Sequence, residues 1–316
     1  MPGFRLLSGV AIGRMLDSVN PAASAASAPP SIDWWITSRC NLACDFCFGP
    51  KPDRDPASLR GAIVDRIERS SAAVVTFCGG EPLVVRDVGR YARRLAESGK
   101  RTVLNTNGSL LRKRLEQGLD FAFDAVGLSI DGSTEFVHRA MRGAKADLGE
   151  TLRAAQFVAD RPETSLKIGT VVSAVNRDDL PSLATLVAHL KPDVWRLYQY
   201  SARGAQNSGQ QRHHLSEEEF RGLAAEAAWL AEPVPTAPST ESQTAGCLIV
   251  DPNGNVLQPT QVGYITHGNC LREPIDDIWA KIPSTVSIIE NKRWLSVLAD
   301  RPREAVGAGQ HADGGI

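Results

Sequence analysis

Apolar and β-branched residues along the chain form six short runs, separated by longer segments in which apolar residues recur at helical spacing. The runs lie at residues 33–37, 73–77, 101–106, 124–130, 166–172 and 194–200. Between two of them, Val88, Ala92 and Leu95 repeat every three or four residues, as on one face of a helix. Strand and helix alternating six times predict a parallel sheet covered by helices, either an open doubly wound sheet or a complete or partial barrel.

The composition is that of a globular protein, with 42% hydrophobic and 22% charged residues among 316. A net charge of -1 offers no basic stripe for nucleic acid and no cationic helix for a membrane. No apolar run approaches the ~20 residues of a membrane span, and the first residues are not expected to form an export signal. Six cysteines, three of them clustered, do not form a disulfide framework. We therefore expect a cytoplasmic protein with neither a nucleic-acid nor a membrane partner.

Four polar motifs each follow a predicted strand. They are "SRCNLACDFC" (38–47), "CGGEP" (78–82), "NTNG" (105–108) and "SIDG" (129–132). In parallel α/β folds the chemistry gathers at the carboxyl ends of the strands. One rim of the sheet is therefore expected to hold all four motifs.

Three cysteines in eight residues, Cys40, Cys44 and Cys47, have three explanations. A structural zinc site closes with four ligands in two close pairs, and the chain has no second pair. A chance cluster of buried thiols is hard to reach at this cysteine content. Three thiolates from one loop can instead hold a [4Fe-4S] cluster by three irons and leave the fourth open for an exogenous ligand, which indicates chemistry.

The four motifs, in this order, closely resemble those of the radical S-adenosylmethionine (radical SAM) superfamily over roughly residues 32–200. The resemblance implies a partial (β/α)6 barrel of the TIM type, with Cys40, Cys44 and Cys47 as the ligands of one [4Fe-4S] cluster. In that family the open iron is chelated by the amino and carboxyl groups of S-adenosylmethionine (SAM). Reductive cleavage of SAM then yields a 5'-deoxyadenosyl radical that abstracts a substrate hydrogen.

The resemblance also implies which residues contact SAM. Phe46 matches an aromatic residue whose backbone lies near the adenine, although its side chain is as readily explained by core packing. Gly79 and Gly80 let the backbone approach the methionine part, and Glu81 places a negative charge near its ammonium group. Further expected SAM contacts are Asn107, Ser129 and Arg142.

The substrate is expected over the carboxyl ends of the later strands, because it must approach C5' of SAM. Lys167, Gln199 and Arg203 are the predicted catalytic residues there, with Asn105 and Tyr198 as weaker candidates. The small residues of "SARGAQNSG" (201–209) are expected to let that loop move as a lid. Two nearby residues are predicted to have structural roles: His138 on a solvated helix face and Cys78 as a small buried strand residue.

The last third of the chain resembles a SPASM or twitch extension. Ser216 and Glu219 form a capping box before a predicted helix, and Asn253 and Gly254 fit a hairpin turn. Such extensions usually hold auxiliary clusters, but this one offers only Cys247 and Cys270 and has Thr260 where relatives have cysteine. We expect a degenerate extension, a small β-hairpin plus helix without a cluster. The predicted parts are a flexible segment (1–30), the core domain (31–235), the extension (236–300) and a disordered tail (301–316).

Three functions fit these motifs. The first is a radical SAM enzyme that modifies a peptide or small molecule and takes electrons from an external donor such as flavodoxin or ferredoxin. The second is a viperin-like nucleotide dehydratase, whose triphosphate would require cations over the barrel mouth. Candidates for those cations are Lys51, Arg142, Lys167, Arg196 and Arg203. The third is a non-enzymatic iron-sulfur protein for electron transfer or sensing, which would have no use for "GGEP".

Overall fold

The computed structural model describes residues 29, 31–47, 49, 55–202, 211–240, 248–260 and 263–282. Several sequence-based expectations lie outside these residues. They concern Lys51, Arg203 with nearly all of the predicted lid loop, Cys247, the last part of the predicted extension (283–300), nearly all of the N-terminal segment and the whole C-terminal tail.

Within the described ranges the strands form one ten-stranded sheet in the order β10-β9-β8-β1-β2-β3-β4-β5-β6-β7. The strands are β1 (Ser31–Thr37), β2 (Val74–Gly79), β3 (Arg101–Thr106), β4 (Ala125–Ser129), β5 (Ser165–Val172), β6 (Val194–Gln199), β7 (Thr236–Ser239), β8 (Leu248–Val250), β9 (Asn255–Pro259) and β10 (Tyr264–Asn269). β1 to β6 are the six predicted strands, and each pairs in parallel with the next along the chain. The predicted α/β class with a partial barrel of parallel strands is confirmed.

Helices follow the core strands, as the apolar spacing indicates. They are α1 (Arg60–Arg69), α2 (Val88–Glu97), α3 (Leu111–Glu116), α4 (Glu135–Arg142), α5 (Leu148–Ala159), α6 (Leu180–Leu190), α7 (Glu217–Leu230) and α8 (Ile275–Ala280). α7 begins at the predicted capping box, since Ser216 and Glu219 each accept a hydrogen bond from the other's backbone N–H. Among the helices described, none combines the length and the apolar character that crossing a membrane requires.

Side chains alternate between the two faces of the core sheet. Trp34, Phe77 and Ile168 point towards the helices and belong to the main hydrophobic core. The opposite, inner face has a small separate apolar cluster at its lower end, made of Val103, Ala125 and Val194 with Val74 and Ala237 packed against it. Side chains two positions further along these strands also point to the inner face. They lie between the apolar cluster and the carboxyl ends of the strands.

The C-terminal extension continues the same sheet. β8 pairs in parallel with β1, and β9 pairs antiparallel with both β8 and β10. The predicted hairpin is present: Gly254 has φ +80°, and the Asp251 carboxylate accepts hydrogen bonds from the backbone N–H groups of Asn253 (2.8 Å) and Asn255 (2.9 Å). β7 lies beyond the predicted boundary at residue 235 yet pairs with β6, so the sheet crosses that boundary without a break.

Candidate active site

The cysteine loop is held against the end of β2 by backbone contacts that only glycine permits. The N–H of Gly80 donates to the carbonyl of Thr37 (2.8 Å), and the N–H of Glu81 donates to that of Arg39 (2.9 Å). A Cβ on Gly79, whose φ is +116°, would lie 2.5 Å from the Thr37 oxygen, and one on Gly80 would lie 2.1 Å from the Arg39 oxygen. Both glycines are therefore required for the close approach of these two loops, whatever they contribute to binding SAM.

The Glu81 carboxylate joins the end of β2 to the end of β3. The side chain is 1% exposed and accepts hydrogen bonds from the backbone N–H of Leu83 (3.0 Å), the hydroxyl of Thr106 (2.7 Å) and the backbone N–H of Asn107 (2.9 Å). Burial raises the pKa of Glu81 more than these donors lower it. Its observed partners are thus protein groups, and its predicted contact with SAM stays a prediction.

Asn107 joins the end of β3 to the cysteine loop. Its side-chain amide donates to the Asn41 side-chain oxygen (3.0 Å), and the Asn41 amide donates to the hydroxyl of Ser109 (2.9 Å). Ser109 in turn donates to the Asn107 side-chain oxygen (2.6 Å). The first three motifs therefore form one hydrogen-bonded unit at the carboxyl rim, as their positions after successive strands predict.

Of the three clustered cysteines, Cys40 is exposed and the other two are half-buried. Among the residues described, no three cysteine, histidine or acidic side chains close around a single metal ion. Thiolates on one zinc ion lie about 3.8 Å apart, whereas a [4Fe-4S] cluster takes each thiolate on a different iron and needs wider spacing. Three thiolates from one loop match the donor set of a [4Fe-4S] cluster, in which each binds a different iron.

Cys44 lies next to the end of α4. Its thiol donates to the backbone carbonyl of Arg142 (3.5 Å), and burial raises its pKa to about 11 despite the Arg142 charge, which lowers it. The thiol must release this proton to become a ligand. Arg142 is buried, forms an ion pair with Asp131 (Nε–Oδ2 2.6 Å) and lies 5.6 Å from the ring centre of Phe46.

The structure therefore brings Arg142 and Phe46 to the cysteine loop. The Phe46 side chain is 7% exposed and packs with Met141 and Tyr200. It is therefore a core side chain, which was the second explanation that the sequence offered for it. Ser129 ends β4 on the inner face and is half-buried. The contacts of these residues with SAM stay predictions.

The prediction for His138 is wrong. Its side chain is 1% exposed and accepts a hydrogen bond from the backbone N–H of Asp131 (3.4 Å). Burial lowers its pKa to about 4, with the nearby Arg142 charge as the second cause. The helix face that looks solvated in the sequence instead packs under the "SIDG" loop, because Gly132 lets the loop approach the backbone of α4.

Lys167 lies on the inner face of the sheet, level with Gly127 of β4 and with Val194, the first residue of β6. It is 5% exposed, and its ammonium group donates to the Asn105 side-chain oxygen (2.8 Å) across β4. A Cβ on Gly127, the β4 residue between them, would lie 2.4 Å from both the Lys167 Cε and the Asn105 oxygen. The absence of a side chain at Gly127 is what lets Lys167 and Asn105 meet.

Tyr198 and Arg196 share the inner face with Lys167. The Tyr198 ring packs over Gly169, whose added Cβ would lie 3.4 Å from it, and Arg196 lies 5.3 Å from the ring centre. Burial raises the pKa of Tyr198, but the charges of Lys167 and Arg196 and a hydrogen bond from Arg196 lower it more, so the net pKa is lowered. The inner face of β5 and β6 is thus polar in the middle of the strands, at Lys167, Arg196 and Tyr198.

Gln199 does not belong to this group. It lies on the helix-facing side of β6 with Trp195 and Leu197, and its amide donates to the backbone carbonyl of Leu215 (3.0 Å). Side chains alternate along a strand, so Tyr198 faces inwards and its neighbour Gln199 cannot. The prediction that Gln199 faces the substrate is corrected on this ground.

The extension offers no ligand set among its described residues. Cys270 is 0% exposed within the main core, and burial raises the pKa of its thiol to about 12. Thr260 closes a turn with Gly263. Cys78 is half-buried beside Trp35, so its side chain is less enclosed than predicted.

Sequence reasoning missed two groups of residues near the cysteine loop. Asp131, the partner of Arg142, stands inside the quoted "SIDG" motif, so a signal for it existed. Asp45 stands inside the cysteine motif and forms a hydrogen bond with His213 (2.9 Å), 168 residues away. Nothing in the sequence around His213 marks that contact.

Comparison with known proteins agrees with these features. Residues 35–187 match the family model for the Radical SAM superfamily. The match spans β1 to α6 and includes the three cysteines, "GGEP", "NTNG" and "SIDG". The match supports an enzyme of the radical SAM superfamily, a family that uses a [4Fe-4S] cluster and SAM.

Curated relatives cover different reactions. The chain is 31% identical over 166 residues to the mycofactocin maturase MftC of Mycolicibacterium smegmatis, covering 51% of this chain and 42% of that protein. It is 27% identical over 213 residues to an S-adenosylmethionine-dependent nucleotide dehydratase of Lacinutrix mariniflava, covering 62% and 44%. The chain spans about half the length of the curated relatives it matches.

The fold is similar to that of Streptococcus suis SuiB, whose crystal structure was determined with bound SAM. The TM-score is 0.64 at 15% sequence identity, over 83% of this chain and 67% of SuiB. A second SuiB structure contains the precursor peptide SuiA. At this identity the likeness establishes the fold.

We expect Gly80→Ala to lower the free energy of unfolding by about 2 kcal/mol or more, because its Cβ would overlap the Arg39 carbonyl. Urea unfolding measures this loss. Gly61→Ala in α1 is the matched control: no atom lies within 4 Å of its added Cβ, so it should stabilise by roughly 0.5–1 kcal/mol. Equal stability of Gly80→Ala and the wild type would contradict the packing described.

We expect His138 to make stability depend on pH between about 6.5 and 4. The unfolded histidine, with an ordinary pKa of 6.5, binds a proton that the folded protein excludes down to about 4, so stability falls as pH drops through this window. At pH 5 the loss is about 2 kcal/mol. His138→Gln should lack it in urea unfolding at pH 7 and 5, while exposed His189→Gln keeps it; identical pH dependence in all three proteins would contradict the assignment.

Proposed function

We propose that the chain binds a [4Fe-4S] cluster through Cys40, Cys44 and Cys47, cleaves SAM reductively and removes a hydrogen atom from a peptide or other small molecule. The observation that carries the proposal is the hydrogen-bonded unit of Asn41, Glu81 and Asn107, which holds the cysteine loop against the ends of β2 and β3. Such a joint fixes three thiols at the rim where parallel α/β enzymes place their chemistry.

When bound, the cluster and SAM supply a one-electron cleavage that yields a 5'-deoxyadenosyl radical. The chain's own residues orient these groups. Arg142, held by Asp131 beside the cysteine loop, provides a buried positive charge for the SAM carboxylate. Ser129 and the backbone at Gly79 and Gly80 line the adjacent rim. Leu42 donates its N–H to the Cys40 sulfur (3.4 Å), a contact of the kind that tunes a cluster's reduction potential.

The substrate is proposed to lie on the inner face, over β4 to β6. Lys167, Tyr198 and Arg196 provide polar groups there, and Gly127 and Gly169 leave the room that the Lys167 and Tyr198 side chains occupy. Arg203, which follows β6 closely in the chain, is kept as a proposed member. Two buried cations on this face, with the Asp33 carboxylate close enough to affect the pKa of Tyr198, suit a substrate with carboxylate or other acceptor groups.

A peptide is the favoured substrate class. SuiB, which shares the fold, has been crystallised with a precursor peptide, and a maturase is among the relatives by sequence. The electron is proposed to come from an external protein such as flavodoxin or ferredoxin. The exposure of Cys40 supports this, because it leaves the proposed cluster close to the protein surface.

We expect Cys40→Ala, Cys44→Ala and Cys47→Ala each to abolish cluster absorbance and SAM cleavage in protein reconstituted without oxygen, since each thiolate holds one iron. The measurement is formation of 5'-deoxyadenosine after dithionite reduction with SAM. Cys78→Ala, a half-buried thiol on the inner face, is the control and should keep both. A full cluster in any of the three variants would refute the ligand assignment.

Iron analysis of the reconstituted wild type should give about four irons per chain, as one [4Fe-4S] cluster requires. Cys270 is enclosed in the core, so Cys270→Ser should keep that count even if it unfolds more easily. About eight irons, falling to four in Cys270→Ser, would show an auxiliary cluster in the extension.

We expect Lys167→Met and Tyr198→Phe to keep the cluster and SAM cleavage but to slow product formation from the true substrate at least about tenfold, because polar groups facing the substrate are lost. The ratio of 5'-deoxyadenosine to product measures this uncoupling. Gln199→Ala, on the opposite face, is the matched control, with little change in the ratio expected. Normal coupling in both inner-face variants would move the substrate site elsewhere.

A nucleotide dehydratase is the second candidate, favoured by the 27% identity to such an enzyme and by two buried cations, Lys167 and Arg196, on the inner face. Incubating the reduced, loaded protein with SAM and each nucleoside triphosphate separates the candidates. A dehydrated nucleotide accumulating with 5'-deoxyadenosine supports the dehydratase, and its absence with all four leaves the peptide or small-molecule proposal.

A further inference from the structure

Two residues between the proposed cluster ligands Cys44 and Cys47 contact one histidine from a distant part of the chain. Asp45 and Phe46 lie inside the C-x-x-C turn, where the N–H of Cys47 donates to the carbonyl of Cys44 (3.3 Å). Both touch His213, which ends a short 3-10 turn between β6 and α7. The cysteine turn is thus fastened on this side by a residue outside all the motifs.

His213 uses both ring nitrogens. Its Nε2 lies 2.9 Å from the Asp45 Oδ1, and its Nδ1 lies 3.1 Å from the hydroxyl of Ser173. A carboxylate oxygen accepts, so Nε2 carries the proton that is donated to Asp45. The imidazole is 0% exposed, and Ser173 is equally buried. A hydrolytic role for this Ser-His-Asp chain is excluded, since no substrate can reach the serine.

The ring of His213 is also enclosed by aromatic side chains. Phe46 meets it edge-on at 5.7 Å between ring centres, and Tyr200, next to the end of β6, lies at 5.1 Å. Arg212 also forms an ion pair with Asp45. The histidine thus links the cysteine turn to the end of β6 and the end of β5, near which Ser173 lies.

We propose that His213 is a positioning residue for the cluster: through Asp45 it fixes the turn that orients the Cys44 and Cys47 thiolates. This inference rests on the proposed function, because the proposed function is what assigns the two thiolates to a cluster. The hydrogen bond to Asp45 is the part of the contact that sets the turn, and the ring packing alone is insufficient. Asp45 is one-third exposed, and without His213 its ion pair with Arg212, whose side chain is half exposed, would hold it less firmly.

Two substitutions separate the hydrogen bond from the packing. His213→Phe keeps an aromatic ring between Phe46 and Tyr200 but cannot donate to Asp45. His213→Gln loses the ring, yet its amide nitrogen reaches about as far as Nε2 and still donates. His214→Ala, at the exposed neighbouring position, is the control. A positioning role predicts rescue by glutamine, whereas a packing role predicts rescue by phenylalanine.

The first measurement is made on the full chain without a cluster, so it does not depend on the proposed function. Hydrogen exchange of residues 38–47 reports how often the turn opens. We expect exchange in this segment to be about tenfold faster in His213→Phe, the effect of one lost hydrogen bond, and near wild-type rates in His213→Gln and His214→Ala. Wild-type exchange in His213→Phe, or faster exchange only in His213→Gln, overturns the proposal.

The second measurement uses the loaded protein. Iron release to a chelator should be about tenfold faster in His213→Phe than in His213→Gln, and the electron paramagnetic resonance (EPR) spectrum of the reduced cluster should shift only in the former. Asp45→Ala should reproduce the His213→Phe behaviour, and the double variant should be no worse than either. Additive effects of the two substitutions overturn the proposal. A wild type that never holds four irons refutes the proposed function instead, and the exchange experiment still decides the role of His213.

Discussion

The rest of the candidate site depends on the hydrogen bonds that the buried carboxylate of Glu81 accepts. Parallel strands leave their carboxyl ends side by side, but the loops that follow have no ladder of hydrogen bonds to hold them. Glu81 supplies that connection by accepting from Leu83, Thr106 and Asn107 at once. Asn107 passes the connection to Asn41 in the cysteine loop. A carboxylate buried this deeply is stable only because its acceptors are met by donors, so the loops are fixed by the need to satisfy it.

The two faces of the sheet have different roles. The helix-facing side is apolar and supplies the stability of the fold, whereas the inner side is apolar only at its lower end. Above that end, glycines at 127 and 169 leave room for the long side chains of Lys167 and Tyr198 to lie across neighbouring strands. Placing polar groups on an inner face costs stability, and that cost is typical of a functional surface.

Much of the fold and part of the site could be predicted from the sequence. Strands β1 to β6 follow from short β-rich runs, and their motifs follow from the rule that parallel strands end on the same side. Side-chain direction was harder: Gln199 and Tyr198 are neighbours in a strand, and a run of apolar residues on both faces does not reveal which one points inwards. His138 was misjudged because the amphipathic pattern of α4 gives no sign of the loop that covers it.

Contacts between a motif and a distant segment that carries no motif could not be predicted. Asp45 and His213 are separated by 168 residues, and both are common polar types with ordinary surface uses. Their pairing depends on how β6 and the turn before α7 pack on the cysteine loop, which local patterns do not encode. The extent of the sheet could not be predicted from local patterns either. β7 pairs with β6 at one edge of the core strands and β8 pairs with β1 at the other, so the sheet continues beyond the boundary predicted at residue 235.

The central claim is that the cysteine loop holds a cluster with one iron left open for SAM. Electron nuclear double resonance of the reduced, loaded protein, with SAM labelled at its amino nitrogen and carboxylate oxygen, tests this most directly. The account predicts magnetic coupling of both labels to the cluster and a changed EPR spectrum on adding SAM. An unchanged spectrum with no coupling to either label would show that the open iron is absent or does not bind SAM, and would contradict the account.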